Sequence, residues 1–267
     1  MNSALRGQYL AALGLESWTL RRGPATGLSQ SAPGQSAPGQ SAPGQSAPGQ
    51  NLAGPESGAP LPEPIAPVSE PCAPAAGRVA DLGWVELRAA VAACTRCPLS
   101  ATRTQTVFGV GSLEAKWLVV GEAPGAEEDR QGEPFVGRAG QLLNAMLRAI
   151  GLEREQVFIA NVLKCRPPGN RDPAPLEAAQ CLPYLERQIA LLKPRIMLAV
   201  GRISAQNLLR TDVSLGRLRG QVHHFGASRV PLVVTYHPAY LLRAPAEKRK
   251  AWEDLQFARE VCSGVQR

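Results

Sequence analysis

From residue 81 onward the chain alternates short, wholly apolar runs with longer amphipathic stretches, and this alternation limits the folds open to it. Lys116–Gly121 (KWLVVG), Gln156–Leu163 (QVFIANVL), Arg195–Val200 (RIMLAV) and Pro231–Tyr236 (PLVVTY) read as four strands. Gly137–Ile150, Pro175–Leu192 and Ser204–Leu209 carry helical periodicity between them, with Leu142, Leu143, Met146, Leu147 and Ile150 on the inner face of the first. Asp81 is a candidate cap for an earlier helix whose Leu82, Val85, Leu87, Ala89, Ala90 and Val91 build an apolar face. Strands that are apolar on both faces need cover on both sides. The expected fold is therefore α/β: three αβα layers around a central four-stranded, mainly parallel sheet. Ligands of such sheets sit outside the carboxyl ends of the strands. The unusual polar residues collect there: GEAPGAEED (121–129) after the first strand, Asn161 through Pro168 closing the second, Gly201-Arg202 after the third and His237-Pro238 after the fourth.

The region before residue 81 has a different composition. Residues 23–80 are dominated by Pro, Gly, Ser, Ala and Gln and contain four SAPGQ copies between 31 and 50, too little apolar surface to order itself. They read as a disordered linker, since a five-residue period is far below that of folded solenoids. Residues 1–22 contain one short amphipathic helix over 4–20, with Leu5, Tyr9, Leu13 and Trp18 near helical spacing. It either docks on the folded domain or serves as a tethered peptide for a repair or replication protein, and the pattern does not choose. The folded domain spans 81–267. It carries all the excess positive charge, 25 basic against 18 acidic residues, whereas 1–80 holds four of each. A basic domain suits a polyanion without requiring one. No apolar run approaches the ~20 residues that span a bilayer, and no leader pattern opens the chain, so a reduced cytoplasmic location is expected.

Four cysteines fall within this domain at spacings that demand a fold to unite them. Cys94 and Cys97 form a C-x2-C-P run, and Cys165 and Cys181 lie far downstream with fifteen residues between them. Thiolates hold zinc or iron–sulfur clusters. The second pair is too wide for a zinc knuckle and Pro98 follows Cys97, which favours a 4Fe–4S cluster over zinc, with four buried free thiols as the third reading. Cys72, in the Pro/Ala-rich stretch, and Cys262, in the last helix, stand outside the pattern.

The strand-end residues suggest binding of a planar polar ligand. Asn161 interrupts an apolar strand, and its amide offers a donor and an acceptor side by side, as reading a pyrimidine's O4 and N3–H requires. His237 sits on a turn directly after a strand, and Phe135 lies among Gly and Pro in a loop fit to present an aromatic face. The acids of 121–129 complete no metal shell with any other Asp, Glu or His cluster in the sequence.

GEAPGAEED, PFVGRAGQLL (134–143), NVLKCRPPGNRDP (161–173) and HPAYLLR (237–243), with the four cysteines, resemble the family 4 uracil-DNA glycosylases, the iron–sulfur branch of the uracil-DNA glycosylase superfamily. The likeness covers about residues 82–260; Ala126 stands where many members have another acid. It implies a monofunctional glycosylase that removes uracil from single- or double-stranded DNA, and a monomer is expected. By this resemblance Asn161 bonds the uracil edge, Phe135 stacks on the ring, and Gly121 belongs to the substrate site. His237 stabilises charge at uracil O2, and Glu122 orients water or favours the sugar cation. Cys94, Cys97, Cys165 and Cys181 hold a structural 4Fe–4S cluster beside the DNA path, where Arg96, Lys164, Arg166 and Arg171 meet phosphates. Leu241 or Leu242 fills the gap left by the flipped nucleotide, and Arg243 steadies the backbone. The competing readings are a protein that binds uracil in DNA without efficient turnover and a polymerase-associated accessory module.

Overall fold

The computed structural model describes residues 76–264. The 4–20 helix, Cys72 and nearly all of the 23–80 linker lie outside the described residues. Two helices, α1 (Ala76–Asp81) and α2 (Trp84–Ala92), come first. Gly83 rather than Asp81 occupies the N-cap of α2, so the helix starts later than its sequence suggests. Leu87 and Val91, four residues apart, form the buried face, and Val85, off that face, is 79% exposed.

Six strands follow: β1 (Val110–Gly111), β2 (Trp117–Gly121), β3 (Phe158–Asn161), β4 (Ile196–Val200), β5 (His223–Phe225) and β6 (Val230–Thr235). They form one sheet in the order β1-β3-β2-β4-β6-β5. The four central strands run parallel, as their apolar character requires. The two edge strands are antiparallel and extend the expected four-stranded sheet to a mixed, six-stranded one.

Residues alternate between the two faces of the sheet, and each face packs under its own helical layer. Leu118, Val120, Phe158, Ala160, Met197, Ala199, Leu232 and Val234 join one buried cluster with residues of α2, α5 (Pro175–Leu192) and α6 (Arg202–Leu209). Val119, Ile159, Leu198 and Val233 join the other, beneath α4 (Arg138–Ala149) and α9 (Lys248–Ser263). Three shorter helices complete the chain: α3 (Ala126–Gln131), α7 (Leu215–Leu218) and α8 (Pro238–Arg243). Among the described residues no helix is long and apolar enough to cross a membrane.

Register places the functional loops together. Gly121 at the end of β2 pairs with Asn161 at the end of β3, and Val200 of β4 pairs with Thr235 of β6. The segments that follow therefore emerge at one level of the sheet. At the opposite margin Gly111 lets β1 lie against β3: its φ is +120°, and a Cβ there would sit 1.8 Å from the Val157 carbonyl oxygen. Gly111→Ala is expected to lower stability by about 1–3 kcal/mol, read from urea denaturation midpoints, as an overpacked contact does. An unchanged midpoint would show that the edge strand gives way without cost.

Candidate active site

A pocket of about 400 Å³ opens beyond the carboxyl ends of β2, β3 and β6, lined among others by Glu122, Phe135, Asn161, Asp172, His237 and Arg243. Asn161, 2% exposed, ends β3 at the pocket floor. Its Oδ1 is buried and has no hydrogen-bond partner among the described residues. A bare amide acceptor facing a pocket is a costly arrangement that a ligand N–H would relieve. Gly121 does not line the pocket. Its contribution is the side chain it lacks, because a Cβ there would lie 2.3 Å from Asn161 Oδ1 and 2.7 Å from Phe135 Cζ.

Phe135 is held in the left-handed region, with φ 55°. For a bulky residue that costs on the order of 1–2 kcal/mol. Arg154, absent from the sequence-based candidates, secures the loop: it donates to the carbonyls of Pro134 (2.6 Å) and Phe135 (3.3 Å) and to Asn144 Oδ1 (3.1 Å). The Phe135 ring then meets the His237 imidazole, centroids 5.6 Å apart and planes tilted by 31°.

His237 caps α8 with its own ring. Nδ1 accepts the Ala239 N–H at 3.1 Å, which leaves the proton on Nε2. Burial, helped by Arg243 and opposed by Glu128, lowers its pKa to about 4. At neutral pH the ring is therefore uncharged and donates through Nε2–H.

Glu122 is the one carboxylate of the acidic segment left to act in the pocket. Glu128 accepts the N–H groups of Gly125, Val136 and Gly137 at 3.0–3.3 Å. Buried Asp129 accepts the Thr104 N–H, and Glu127 pairs with Arg130 on the surface of α3. Burial and then the charge of Asp172 raise Glu122 to a pKa of about 7, against the pull of Arg202. Asp172 is itself paired to Arg202 at 2.6 Å.

The expected DNA contacts divide. Leu242 is 37% exposed and Arg243 is exposed beside the pocket, but Leu241 is wholly buried in the core and cannot enter a helix gap. Lys164 is likewise buried; its Nζ donates to the Asn161 carbonyl (2.9 Å) and to Gln188 Oε1 (2.6 Å), so it braces the pocket floor and reaches no phosphate. Arg171 is exposed, with its guanidinium held by both carboxylate oxygens of Glu177. Arg166 is half-buried and donates to Asn170 Oδ1 at 2.7 Å.

Behind this floor, Cys94, Cys97, Cys165 and Cys181 line one small cavity with Arg96, Arg103 and Tyr184. Among the described residues no group of three His, Cys, Asp or Glu side chains converges on a single metal ion. The four sulfurs surround a space rather than a point. Lys164 N–H donates to Cys181 Sγ at 3.2 Å, and Arg103 donates to Cys165 Sγ at 3.1 Å and to the Cys94 carbonyl at 2.8 Å. Arg96 faces the cavity rather than a phosphate path. Its guanidinium lies 5.4 Å from the Tyr184 ring centroid, with Nε and Nη1 buried and unpartnered among the described residues. Orphaned cationic donors beside four thiols suit a larger anionic group. Without one, burial raises the thiols of Cys97 and Cys165 and pushes Cys181 up to about 12. Cys262 lies apart on α9.

Residues 108–256 match the uracil DNA glycosylase superfamily. The chain is 42% identical to the type-4 uracil-DNA glycosylase of Archaeoglobus fulgidus over 182 residues, 66% of this chain and 92% of that protein. It is 46% identical to the type-4 uracil-DNA glycosylase of Pyrobaculum aerophilum, over 61% of this chain and 86% of the relative. The corresponding enzyme of Thermotoga maritima is 43% identical over 62% of this chain and 88% of its own length. The chain belongs to the uracil-DNA glycosylase superfamily, in its type-4 branch.

Because the folded-state pKa of Glu122 stands above the ordinary value of 4.5, its contribution to stability is complete below that value and is lost as pH rises through about 7. Glu122→Gln is therefore expected to melt higher than the parent protein at pH 8, with the gap closing toward pH 4.5. Parallel melting curves at both pH values would show the carboxylate to be better solvated than its surroundings imply.

Proposed function

We propose that the protein is a monofunctional uracil-DNA glycosylase, which flips uracil out of DNA and hydrolyses its N-glycosidic bond, leaving an abasic site for base excision repair. The observation that carries this reading is the buried Asn161 amide, with its Oδ1 unpartnered among the described residues, in one pocket with the Phe135 ring and the neutral His237 imidazole. Uracil N3–H meets Oδ1 and uracil O4 meets the amide N–H, while Phe135 covers the ring. Thymine shares that edge, so its C5 methyl must be refused by the packed wall of the pocket.

Breaking the bond leaves negative charge on uracil and positive charge on the sugar. His237 Nε2–H donates to O2 as the anion develops, a donor already in place on a ring that is neutral at pH 7. The Glu122 carboxylate sits on the sugar side, where it favours the cation or orients the attacking water. Arg243 and Arg166 hold the backbone, and Leu242 occupies the vacated stack.

Cys94, Cys97, Cys165 and Cys181 would hold a 4Fe–4S cluster, whose chemistry here is that of a rigid cross-link between the α2 end, the β3 exit and α5. Arg103 and the Lys164 amide would hydrogen-bond its sulfur ligands. The protein acts as a monomer in a reducing cytoplasm, where such thiolates persist. The peptide at 4–20 recruits a repair or replication partner.

The direct test incubates the purified protein with uracil- and thymine-containing oligonucleotides and cleaves abasic sites with alkali. Cleavage confined to uracil is expected. Asn161→Ala and His237→Ala should each slow single-turnover excision on the order of 10²-fold with DNA binding largely kept, and near-normal rates in both would remove this site. Excision should fall as pH drops through about 7, where Glu122 takes up a proton, and not because of His237, which stays neutral down to about 4. Asp172→Asn should move that acid limb to lower pH, because it removes a charge that raises Glu122. Protein isolated anaerobically should be brown and contain iron and acid-labile sulfide; colourless protein with stoichiometric zinc would overturn the cluster while leaving the glycosylase reading intact.

A further inference from the structure

Tyr240 is an aromatic ring on α8, between the pocket-lining Ala239 and Arg243, held by a column of packed groups rooted in the core. At its base the buried Asp254 of α9 accepts Thr235 Oγ1 at 2.8 Å and the Arg219 guanidinium at 2.7 and 2.9 Å. The same guanidinium lies 4.5 Å from the centroid of Tyr236, and Tyr236 stacks on Tyr240 with centroids 5.3 Å apart and planes within 23°. Tyr240 nevertheless remains 39% exposed. An aromatic ring whose position is already fixed loses little side-chain entropy when something stacks on it.

Its position limits what that partner is. Tyr240 and Arg243 stand three residues apart on α8, hence on neighbouring faces of one turn, and Ala239 and Arg243 of that helix line the pocket. A ring beside an exposed guanidinium, on a helix that borders the pocket, offers a stacking face and a phosphate contact on one turn, as one strand's base and phosphate require. Leu242, exposed on the same helix, is left for the gap in the stack itself.

We propose that Tyr240 is a stacking platform for the nucleobase adjacent to the extruded nucleotide, with Arg243 taking the intervening phosphate. This rests on the glycosylase reading of the pocket. Every base has a π-face, so the platform is indifferent to sequence, and it needs no complementary strand. It therefore gives the enzyme a grip on single-stranded DNA equal in kind to its grip on a duplex.

The test uses the full-length, metal-loaded protein and a single-stranded oligonucleotide with a tetrahydrofuran abasic analogue flanked by 5-iodocytosine. Irradiation should cross-link the iodinated base to Tyr240, and a cross-link mapped only to other residues would overturn the proposal without any variant. Tyr240→Ala should weaken binding of this probe about tenfold, the effect of losing one base–aromatic stack, while Tyr240→Phe and Tyr240→Trp retain it. Equal losses in Tyr240→Phe and Tyr240→Ala would assign the effect to the hydroxyl and refute stacking, as would unchanged affinity in a folded Tyr240→Ala. The probe contains no uracil. A protein that loses affinity on Tyr240→Ala yet never excises uracil would refute the glycosylase reading and leave the platform standing.

Discussion

The parallel pairing of β2 with β3 sets Gly121 opposite Asn161, and the site depends on that single register. One residue beyond each partner the chain leaves the sheet, carrying Glu122 on one side and the Val162–Cys165 segment on the other. Parallel strands end at a common level, so groups from the segments after β2, β3 and β6 share one rim. A slip of one residue would turn Asn161 to the other face and bring a side chain to where only Gly121 fits. The absence of a Cβ at this point lets the amide and the Phe135 ring both close on Gly121, so the Asn161 amide is held by a strand terminus rather than by a long loop.

The segment leaving β3 has two duties separated by three residues. Asn161 faces the pocket, and Cys165 faces the cysteine cavity. Lys164 lies between them, its amide on Cys181 Sγ and its ammonium on the Asn161 carbonyl and Gln188. Burial lowers the pKa of that ammonium to about 8, against the pull of Cys181, so it stays charged at neutral pH while two oxygens accept from it. Ordering of the cysteine side and placement of the amide are therefore mechanically joined, although no ligand of one belongs to the other.

Much of this was legible in the sequence because it follows from local pattern. The four central strands and α5 lie where apolar runs and periodicity put them, and the strand-end rule located Asn161, Glu122 and His237. The misreadings share a different cause. β1 and β5 are two and three residues long, too short to show a period, and are strands only because β3 and β6 offer them edges. The acids Glu122, Glu127, Glu128 and Asp129 look alike as letters, yet backbone N–H groups of other segments occupy Glu128 and Asp129. Lys164 read as a surface cation because its partner Gln188 is 24 residues away. In α8 the helix is so short that its phase is fixed by docking rather than periodicity, and that phase buries Leu241 and exposes Tyr240 and Leu242.

The electrostatics of the pocket oppose the charged forms of Glu122 and His237. Burial raises Glu122 and lowers His237, so each is driven toward neutrality. In the proposed reaction this would favour the histidine: a neutral ring in the Nε2–H tautomer would stabilise a departing anion through a hydrogen bond. For the glutamate it would be a compromise, because only the carboxylate would serve a developing sugar cation. Arg202 could hold that charge fully, but it is engaged by Asp172, whose own charge acts on Glu122 in the opposite sense. The pair thus leaves Glu122 near the midpoint of its titration at neutral pH. A sugar acquiring positive charge beside it would draw out the anionic form when the bond breaks, so the stabilisation grows with the transition state instead of being spent on the ground state.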